Sequence, residues 1–319
     1  MAEGVARGAG LWCAGGVDPL PDVRLARDLV ADGRAYNELG RLVRRGELEH
    51  LRRGAYALPG ADPGPDAQHR RMVHATLPLL DGGVVSHRSA GVLHGLPLPP
   101  DASALVDVTR ADATSGRRRG HVHRWAAPLL ADEVVAVDGL PVTDLARTVV
   151  DLGRTLPFAD AVAVADAALH RGLHPDALAA AVERARGRPG VADARRVVSF
   201  ADGRSESAGE SHSRVVLHRL GLPRPELQLE VRDPGGRLLG RCDFGWEEHR
   251  TVGEFDGRTK YGRLLRPGQT PEDAVWAEKR REDLLRDEGW QVVRWCWADL
   301  WQPALLGQRL HRAFRRQRR

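Results

Sequence analysis

The amino-terminal part of the chain carries apolar residues three and four positions apart, followed by a stretch in which apolar and polar residues alternate. The first spacing predicts two helices, the earlier one beginning at Val23. The alternation predicts a β-hairpin that turns at Arg53 and Gly54. Two helices followed by a hairpin are typical of a winged-helix module. Residues 21–60 are therefore predicted to form such a domain, after a disordered tail over residues 1–20.

Residues 66–202 mix the two periodicities. Ser86 and Thr143 each precede a helical stripe and are predicted to be helix N-caps. Three consecutive arginines at 117–119 are expected in a solvated loop between strands. Alanine-rich sequence from 158 to 202 predicts a helical connector, so the region as a whole is predicted to be mixed α/β.

The pattern changes after a polar linker of small residues at 203–209. Residues 204–319 carry, in order, a helical stripe, three alternating stretches, a second helix, a nearly continuous apolar strand and a last basic helix. With 319 residues the chain has room for several cores. It is predicted to be a multidomain protein of the α+β or α/β class.

Two of the alternating stretches carry acidic side chains. Because side chains on a strand point to alternate faces, Asp243 is expected opposite Cys242 and Phe244. By the same reasoning, Glu254 and Asp256 share a face of the next strand. If the two strands are neighbours, the three carboxylates converge. Clustered carboxylates repel one another unless a cation lies among them, and hard oxygen ligands suit Mg²⁺ or Mn²⁺.

The distribution of lysine points to the same stretch. Of the 48 basic residues in the chain, all but Lys260 and Lys279 are arginines, and both lysines follow the acidic strands. An ammonium group beside metal-binding carboxylates suits the role of a point charge or of a group that orients water. The alternative is chance placement in a solvated turn.

Charge and composition limit the possible partners and the cellular compartment. The formal net charge of +5 permits binding to nucleic acid. The sequence lacks an apolar run of about 18 residues, so no membrane span is predicted, and its start lacks the pattern of a secretory signal. The three cysteines are scattered, which fits neither a zinc site nor a disulfide framework. A reduced, cytoplasmic protein is expected.

Basic residues fall on two parts of the predicted winged helix. Arg41, Arg44 and Arg45 lie on the second helix, and Arg52 and Arg53 lie at the tip of the hairpin. These are the two places where such modules contact phosphates, so DNA is the predicted partner. The alternative is a solvated basic face on a winged helix that binds protein.

Three segments of the first half resemble a known family. GELEHLRRGAYAL, SHRSAGVLHG and GLPVTDLARTVVDL are similar to the AbiEi-type antitoxins of type IV toxin–antitoxin pairs, over residues 21 to 155. The resemblance implies a winged-helix front end and a cognate toxin as a possible partner.

The last third resembles a second family. Its segments ES…R…L, GLP.P, R.DF.W, EFDG..KY, EK.RE and VVRW.W.DL are similar to a bacterial domain of unknown function related to very-short-patch-repair endonucleases, over residues 204–301. The resemblance implies the PD-(D/E)XK nuclease core of a helix, three strands, a helix and a strand. It places Asp243 and Glu254 at the two acidic metal-ligand positions and Glu210 at the acidic position of the first helix.

The chain departs from this motif at one position. Asp256 stands where the motif has its lysine. The related domain often has histidine where Lys260 stands, so Lys260 is the candidate replacement, with Lys279 as a second choice. Arg258 is placed to follow the DNA backbone.

The reaction implied by this second resemblance is metal-dependent hydrolysis of phosphodiester bonds in DNA, with Mg²⁺ or Mn²⁺ held by Asp243, Glu254 and Asp256. An RNA- or repair-associated nuclease would change only the substrate. The alternative is a non-catalytic, antitoxin-like transcriptional regulator with a degenerate nuclease fold.

Overall fold

The computed structural model describes residues 22–60, 64–100, 105–257 and 270–316. The chain divides into two compact units. One comprises the chain as far as Leu156 together with Leu173–Val198, and the other comprises Pro157–Gly172 and Ser199–Arg319. Helices and three separate sheets confirm a multidomain α+β protein. The finer domain boundaries remain a prediction. Among the helices in the described ranges, none is both long and apolar enough to cross a membrane.

The first unit opens with a small three-stranded sheet and two helices. The elements are β1 (Val23–Leu25), α1 (Ala26–Ala31), α2 (Tyr36–Arg44), β2 (Glu49–Arg52) and β3 (Ala55–Ala57), and the strand order is β1-β3-β2. The hairpin turns at Arg53 and Gly54, as predicted, and Gly54 supplies the left-handed φ of 84°. The prediction of a helix from Val23 is wrong. Val23 and Leu25 are buried at alternate positions of a strand that pairs with β3.

The rest of this unit contains a six-stranded mixed sheet and the helices that pack with it. The strand order of the sheet is β6-β7-β5-β4-β9-β8. Its strands are β4 (Val84–Val85), β5 (Val106–Arg110), β6 (Arg117–Arg119), β7 (Val122–Ala126), β8 (Val134–Val137) and β9 (Leu140–Thr143). Its helices are α3 (Pro65–Thr76), α4 (His87–Leu93), α5 (Leu145–Gly153), α7 (Pro175–Arg184) and α8 (Val191–Phe200), the last belonging to this unit up to Val198.

Two local predictions fail in this sheet. The arginines at 117–119 form a strand paired with β7, and the polar edge of a sheet accommodates them as well as a loop would. The N-cap of α5 is Asp144, whose Oδ1 accepts a hydrogen bond from the Arg147 amide at 2.6 Å. Thr143 is the last residue of β9, and its hydroxyl lies 2.7 Å from that of Thr148. Ser86 is the N-cap of α4, as predicted, although its hydroxyl does not bond to the helix amides.

The second unit has the predicted order of helices and strands after residue 204. Its elements are α6 (Phe158–His170), α9 (Ala208–Arg219), β10 (Glu226–Arg232), β11 (Leu238–Trp246), β12 (Thr251–Phe255), α10 (Pro271–Asp287), β13 (Gln291–Trp295), α11 (Trp297–Leu300) and α12 (Pro303–Arg316). The sheet order is β10-β11-β12-β13, and β13 runs parallel to β12.

Helices cover both faces of this sheet. On one face, Leu217 of α9 and Leu310 of α12 share a core with Phe244 and Trp295. On the other face, Leu285 of α10 joins a second core with residues of β10, β11 and β12. The central strands are therefore held from both sides.

Gly209 brings α9 onto the sheet. A Cβ at this position would overlap the ring of Phe255, so only glycine allows the helix to lie this close to β12.

We expect Gly209→Ala to destabilise the second unit by about 3 kcal/mol, the upper part of the range for overpacking a core. Denaturant unfolding followed by tryptophan fluorescence measures this value. Gly307→Ala is the control, because a Cβ there makes only ordinary contacts with Leu220; equal stability of the two variants would contradict the prediction.

Candidate active site

Asp243 lies where the pairing of the two central strands ends. The ladder between β11 and β12 runs from Trp246↔Thr251 to Phe244↔Gly253, and Asp243 is the next residue along β11. Its side-chain Oδ2 accepts a hydrogen bond of 2.8 Å from the amide of Phe255. The carboxylate thus takes the place of a backbone acceptor and is fixed in orientation at the end of the ladder.

The strand on the other side of β11 is irregular at the same level. Gln228 of β10, which stands opposite Asp243 in the register, has a left-handed φ of 57°. The prediction that Cys242 and Phe244 share a face is wrong. Phe244 packs in the core beneath α9, whereas Cys242 packs in the core beneath α10. The alternation along β11 is thus broken at Asp243, where the pairing with β12 ends.

Glu210 lies near this irregular point but is fully occupied by local contacts. It is buried in the first turn of α9. Its carboxylate accepts hydrogen bonds from the Glu206 amide at 2.9 Å, the Ser207 hydroxyl at 2.7 Å and the Gln228 amide group at 3.0 Å. Ser207 in turn caps the helix by accepting from the Glu210 amide. Glu210 therefore fixes the start of α9 and ties it to β10.

Glu254 is held by two arginines. Its Oε1 is paired with Arg281 of α10, and its Oε2 lies 3.0 Å from Nη2 of Arg294 on β13. Both arginines also contact Glu278, and Arg294 lies 3.2 Å from Glu282. The result is a network of three carboxylates and two guanidinium groups on the face covered by α10.

The electrostatics of this network favour the ion pairs. Burial works against the charge of Arg281, but the carboxylates of Glu278 and Glu254 outweigh it and raise the pKa of this guanidinium. Burial, followed by the charge of Glu254, raises the pKa of the neighbouring Cys242 thiol to about 12, so that group stays protonated. Each carboxylate in the network therefore contacts at least one guanidinium group.

Asp256 follows the end of β12. Its amide donates a hydrogen bond of 2.8 Å to the carbonyl of Trp295, which extends the pairing with β13 by one residue. Asp256 is half-buried and directly follows Phe255, the residue whose amide holds Asp243. Asp256 therefore lies just beyond the end of the ladder between β11 and β12, where Asp243 also lies.

The predicted lysines have different outcomes. Lys260, like Arg258, lies outside the described residues. Lys279 is exposed on α10, and its Nζ lies 5.7 Å from the ring centre of Trp276. This contact gives Lys279 a surface position against an aromatic ring.

The residues present fit a magnesium ion only in part. The described ranges contain no group of three or more His, Cys, Asp or Glu side chains placed to hold a metal. Mg²⁺, however, usually keeps several waters and is bound by one or two carboxylates together with substrate phosphates. Asp243 and Asp256 fit that requirement. Glu254 does not, because both of its oxygens are paired with guanidinium groups.

The predicted DNA contacts in the first unit are mostly accessible. Arg41, Arg44 and Arg45 are exposed on and just after α2, and Arg53 is exposed at the hairpin turn. Arg52 is turned inward: its Nε and Nη1 are buried, without a hydrogen-bond acceptor among the described residues, and burial lowers its pKa. Arg52 is therefore a poor candidate for a phosphate contact.

Arg281 and Arg294 were not predicted from the sequence as part of the site. Two signals pointed to them. Glu278 and Arg281 are three residues apart on a helix, a spacing that allows an ion pair. Arg294 interrupts a nearly continuous apolar strand, and a charge in such a position requires a partner.

Comparison with known proteins adds a partial match. No protein-family model matches the chain. The chain is similar to Uncharacterized protein Rv2248 of Mycobacterium tuberculosis strain H37Rv and to Uncharacterized protein MT2308 of strain CDC 1551 / Oshkosh. Each match is 36% identical over 160 residues, which is 49% of this chain and 55% of the mycobacterial protein, so the chain spans about half the length of these curated relatives. Neither name states an activity.

Proposed function

We propose that the protein binds DNA and that its second unit hydrolyses phosphodiester bonds with Mg²⁺ or Mn²⁺. The observation that carries this proposal is the position of Asp243 and Asp256 at the end of the ladder between β11 and β12, where Asp243 accepts a hydrogen bond from the amide of Phe255, the residue before Asp256. Carboxylates at such a point supply hard oxygen ligands for a metal ion.

The arrangement of the second unit supports the resemblance to PD-(D/E)XK nucleases. Helix α9 is followed by the antiparallel strands β10, β11 and β12, then by α10 and by β13 parallel to β12. This is the order of elements that the resemblance implies. The resemblance assigns Asp243 to the position of the first acidic residue in the motif, and Asp243 lies on the second strand of this unit.

The roles proposed for the side chains follow from their contacts. Asp243, oriented by the Phe255 amide, and Asp256 would hold the metal ion. The ion would lower the pKa of a bound water and polarise the scissile phosphate. Lys260 would orient the attacking water or balance the charge of the transition state. Glu254 would keep β12 joined to α10 and β13.

The exposed arginines of the first unit are proposed to contact the DNA backbone, together with Arg258 of the second unit.

Replacing Arg44 and Arg53 with glutamine should reduce the slope of log K against log salt by about 1.8, because each of the two lost phosphate contacts contributes about 0.9 to that slope. The matched control replaces Arg27 and Arg196, which are also exposed but pair with acidic neighbours. An unchanged slope for the Arg44/Arg53 variant would contradict the contact.

A second candidate function is a non-catalytic, antitoxin-like regulator that binds DNA and possesses a cognate toxin. The pairing of Glu254 with Arg281 and Arg294 favours it, because an acidic position of the motif is occupied by protein cations. In this alternative the nuclease-like unit is a binding platform.

Incubation of the purified protein with supercoiled plasmid, linear duplex and single-stranded DNA separates the two functions. The first predicts nicking or cutting with Mg²⁺ or Mn²⁺ and none with EDTA. DNA binding without cleavage under either metal would leave the regulator as the function.

A further inference from the structure

A second charged cluster lies in the first unit and is separate from the proposed nuclease chemistry. Four arginines surround two buried carboxylates where the end of β7, helix α5 and the segment following α7 meet. The arginines are Arg147, Arg154, Arg184 and Arg188, and the carboxylates belong to Glu133 and Asp151.

All four carboxylate oxygens in the cluster are engaged. Arg147 binds Glu133 Oε2 and Asp151 Oδ2, each at 2.8 Å. Arg184 lies 3.2 Å from Glu133 Oε1, and Arg154 lies 2.8 Å from Asp151 Oδ1. Burial alone would raise the pKa of Asp151, but the charges around it, those of His87, Arg147 and Arg154, hold it below its usual value. The carboxylates are therefore ionised and fully used.

Two guanidinium nitrogens in the cluster remain without an acceptor. Nη2 of Arg147 and Nη1 of Arg188 are buried and have no hydrogen-bond partner within the described part of the chain. The two groups are neighbours, because Nη1 of Arg147 and Nη2 of Arg188 both donate to the carbonyl of Pro128, at 3.2 and 3.4 Å. The side chain of Arg147 is only 1% exposed. Buried donors without acceptors are rare in folded proteins and destabilise them.

The charges point to the kind of ligand that would satisfy these donors. The four guanidinium groups carry four positive charges, and the carboxylates of Glu133 and Asp151 carry two negative charges, which leaves an excess of two positive charges. Asp144, which has the exposed Asp132 nearby, lies close to Arg184, so these carboxylates reduce the excess on the Arg184 side of the cluster. Burial, and next the charge of Arg147, lowers the pKa of Arg188. A water molecule could accept the hydrogen bonds, but it would not offset the charge.

The segment at 187–190 holds Arg188 against the cluster. Nε of Arg154 donates to the carbonyl of Pro189 at 2.8 Å. Gly190, with a φ of 79°, packs so closely on the carbonyl of Arg154 that a Cβ would collide with it. Arg188 itself is half-exposed, so one edge of the site reaches solvent.

We infer that Arg147 and Arg188 form a binding site for a small oxyanion of the phosphate class. Adjacent guanidinium groups bind phosphate through paired N–H donors, which gives both charge and directional hydrogen bonds. The donor atoms are buried and only the edge at Arg188 reaches solvent, so a ligand must enter at that edge and must be as small as inorganic phosphate or the terminal phosphate of a small molecule. A DNA backbone is too large to reach them. The site does not depend on the proposed function.

Titration calorimetry with inorganic phosphate, at constant ionic strength in chloride, tests the site. The wild type should bind with a dissociation constant below about 1 mM. Arg188→Gln should weaken binding at least about tenfold, the effect of losing one charge-assisted hydrogen bond. This variant leaves the Glu133 and Asp151 pairs intact, so it is expected to fold. Arg186→Gln is the matched control, because Arg186 is exposed beside the same turn; it should bind like the wild type.

Three results would overturn the inference. The first is a wild-type dissociation constant for phosphate above about 1 mM. The second is Arg188→Gln binding phosphate as tightly as the wild type, which would place the anion elsewhere. The third is displacement of phosphate by an excess of a short DNA duplex, which would show that a polymer backbone reaches the site. Sulfate, with the same tetrahedral shape, should compete with phosphate.

Discussion

The Asp243→Asn variant should lose at least about a hundredfold in the rate of DNA cleavage while folding like the wild type. Mutations in the shell around a metal already cost about 10–100-fold, and loss of a ligand oxygen is expected to cost at least as much. Asparagine keeps the size of the side chain and keeps a carbonyl oxygen to accept from the Phe255 amide. The rate of plasmid nicking measures the loss, and thermal unfolding checks the fold.

Asp233→Asn is the matched control for this prediction. The carboxylate of Asp233 also accepts hydrogen bonds from backbone amides, those of Gly235 and Arg237, but it lies in the turn between β10 and β11. Asp233→Asn should therefore cleave like the wild type. If Asp243→Asn also cleaves like the wild type, Asp243 has no part in the reaction.

Glu254→Gln should destabilise the second unit by about 2–3 kcal/mol without abolishing cleavage by the folded fraction. Removing one partner of a buried ion pair costs about 3–5 kcal/mol. The value here is smaller, because the side chains of Arg281 and Arg294 are 23% and 29% exposed. Denaturant unfolding measures the stability, and nicking at equal concentrations of folded protein measures the activity.

A double-mutant cycle of Glu254→Gln with Arg281→Gln measures the interaction free energy between these two side chains. The two changes should be less than additive, because the second removes a charge that the first leaves unpaired. Glu248→Gln, at an exposed position of the turn before β12, is the control and should change stability by less than about 0.5 kcal/mol. A stable but inactive Glu254→Gln would restore Glu254 as a metal ligand.

Much of the second unit could be predicted from the sequence. The helical stripe at 210–220 and the alternation after it are local patterns, and they give α9 and the strands β10 to β12 in the observed order. The hairpin at Arg53 and Gly54 was predictable for the same reason, since glycine at a tight turn is a local requirement.

What the sequence did not reveal depends on where the pairing of strands ends and on distant contacts. The alternation that placed Cys242 with Phe244 is broken at Asp243, where the pairing of β11 with β12 ends. The spacing of charges could not show that Glu254 meets Arg294, which is brought to it by the parallel pairing of β12 with β13. The sequence singled out Asp243, Glu254 and Asp256 as candidate ligands. Only the fold shows that Glu254 is paired with arginines, whereas Asp243 and Asp256 lie at the end of the ladder between β11 and β12.

The most direct test of the proposed site compares two rates under single-turnover conditions with Mn²⁺, both corrected for the folded fraction. The proposed site predicts that Asp243→Asn is slower than Glu254→Gln by at least about a hundredfold, because the first change removes a metal ligand and the second breaks a structural ion pair. Equal rates for the two variants, or a Glu254→Gln protein that is folded and inactive, would contradict it.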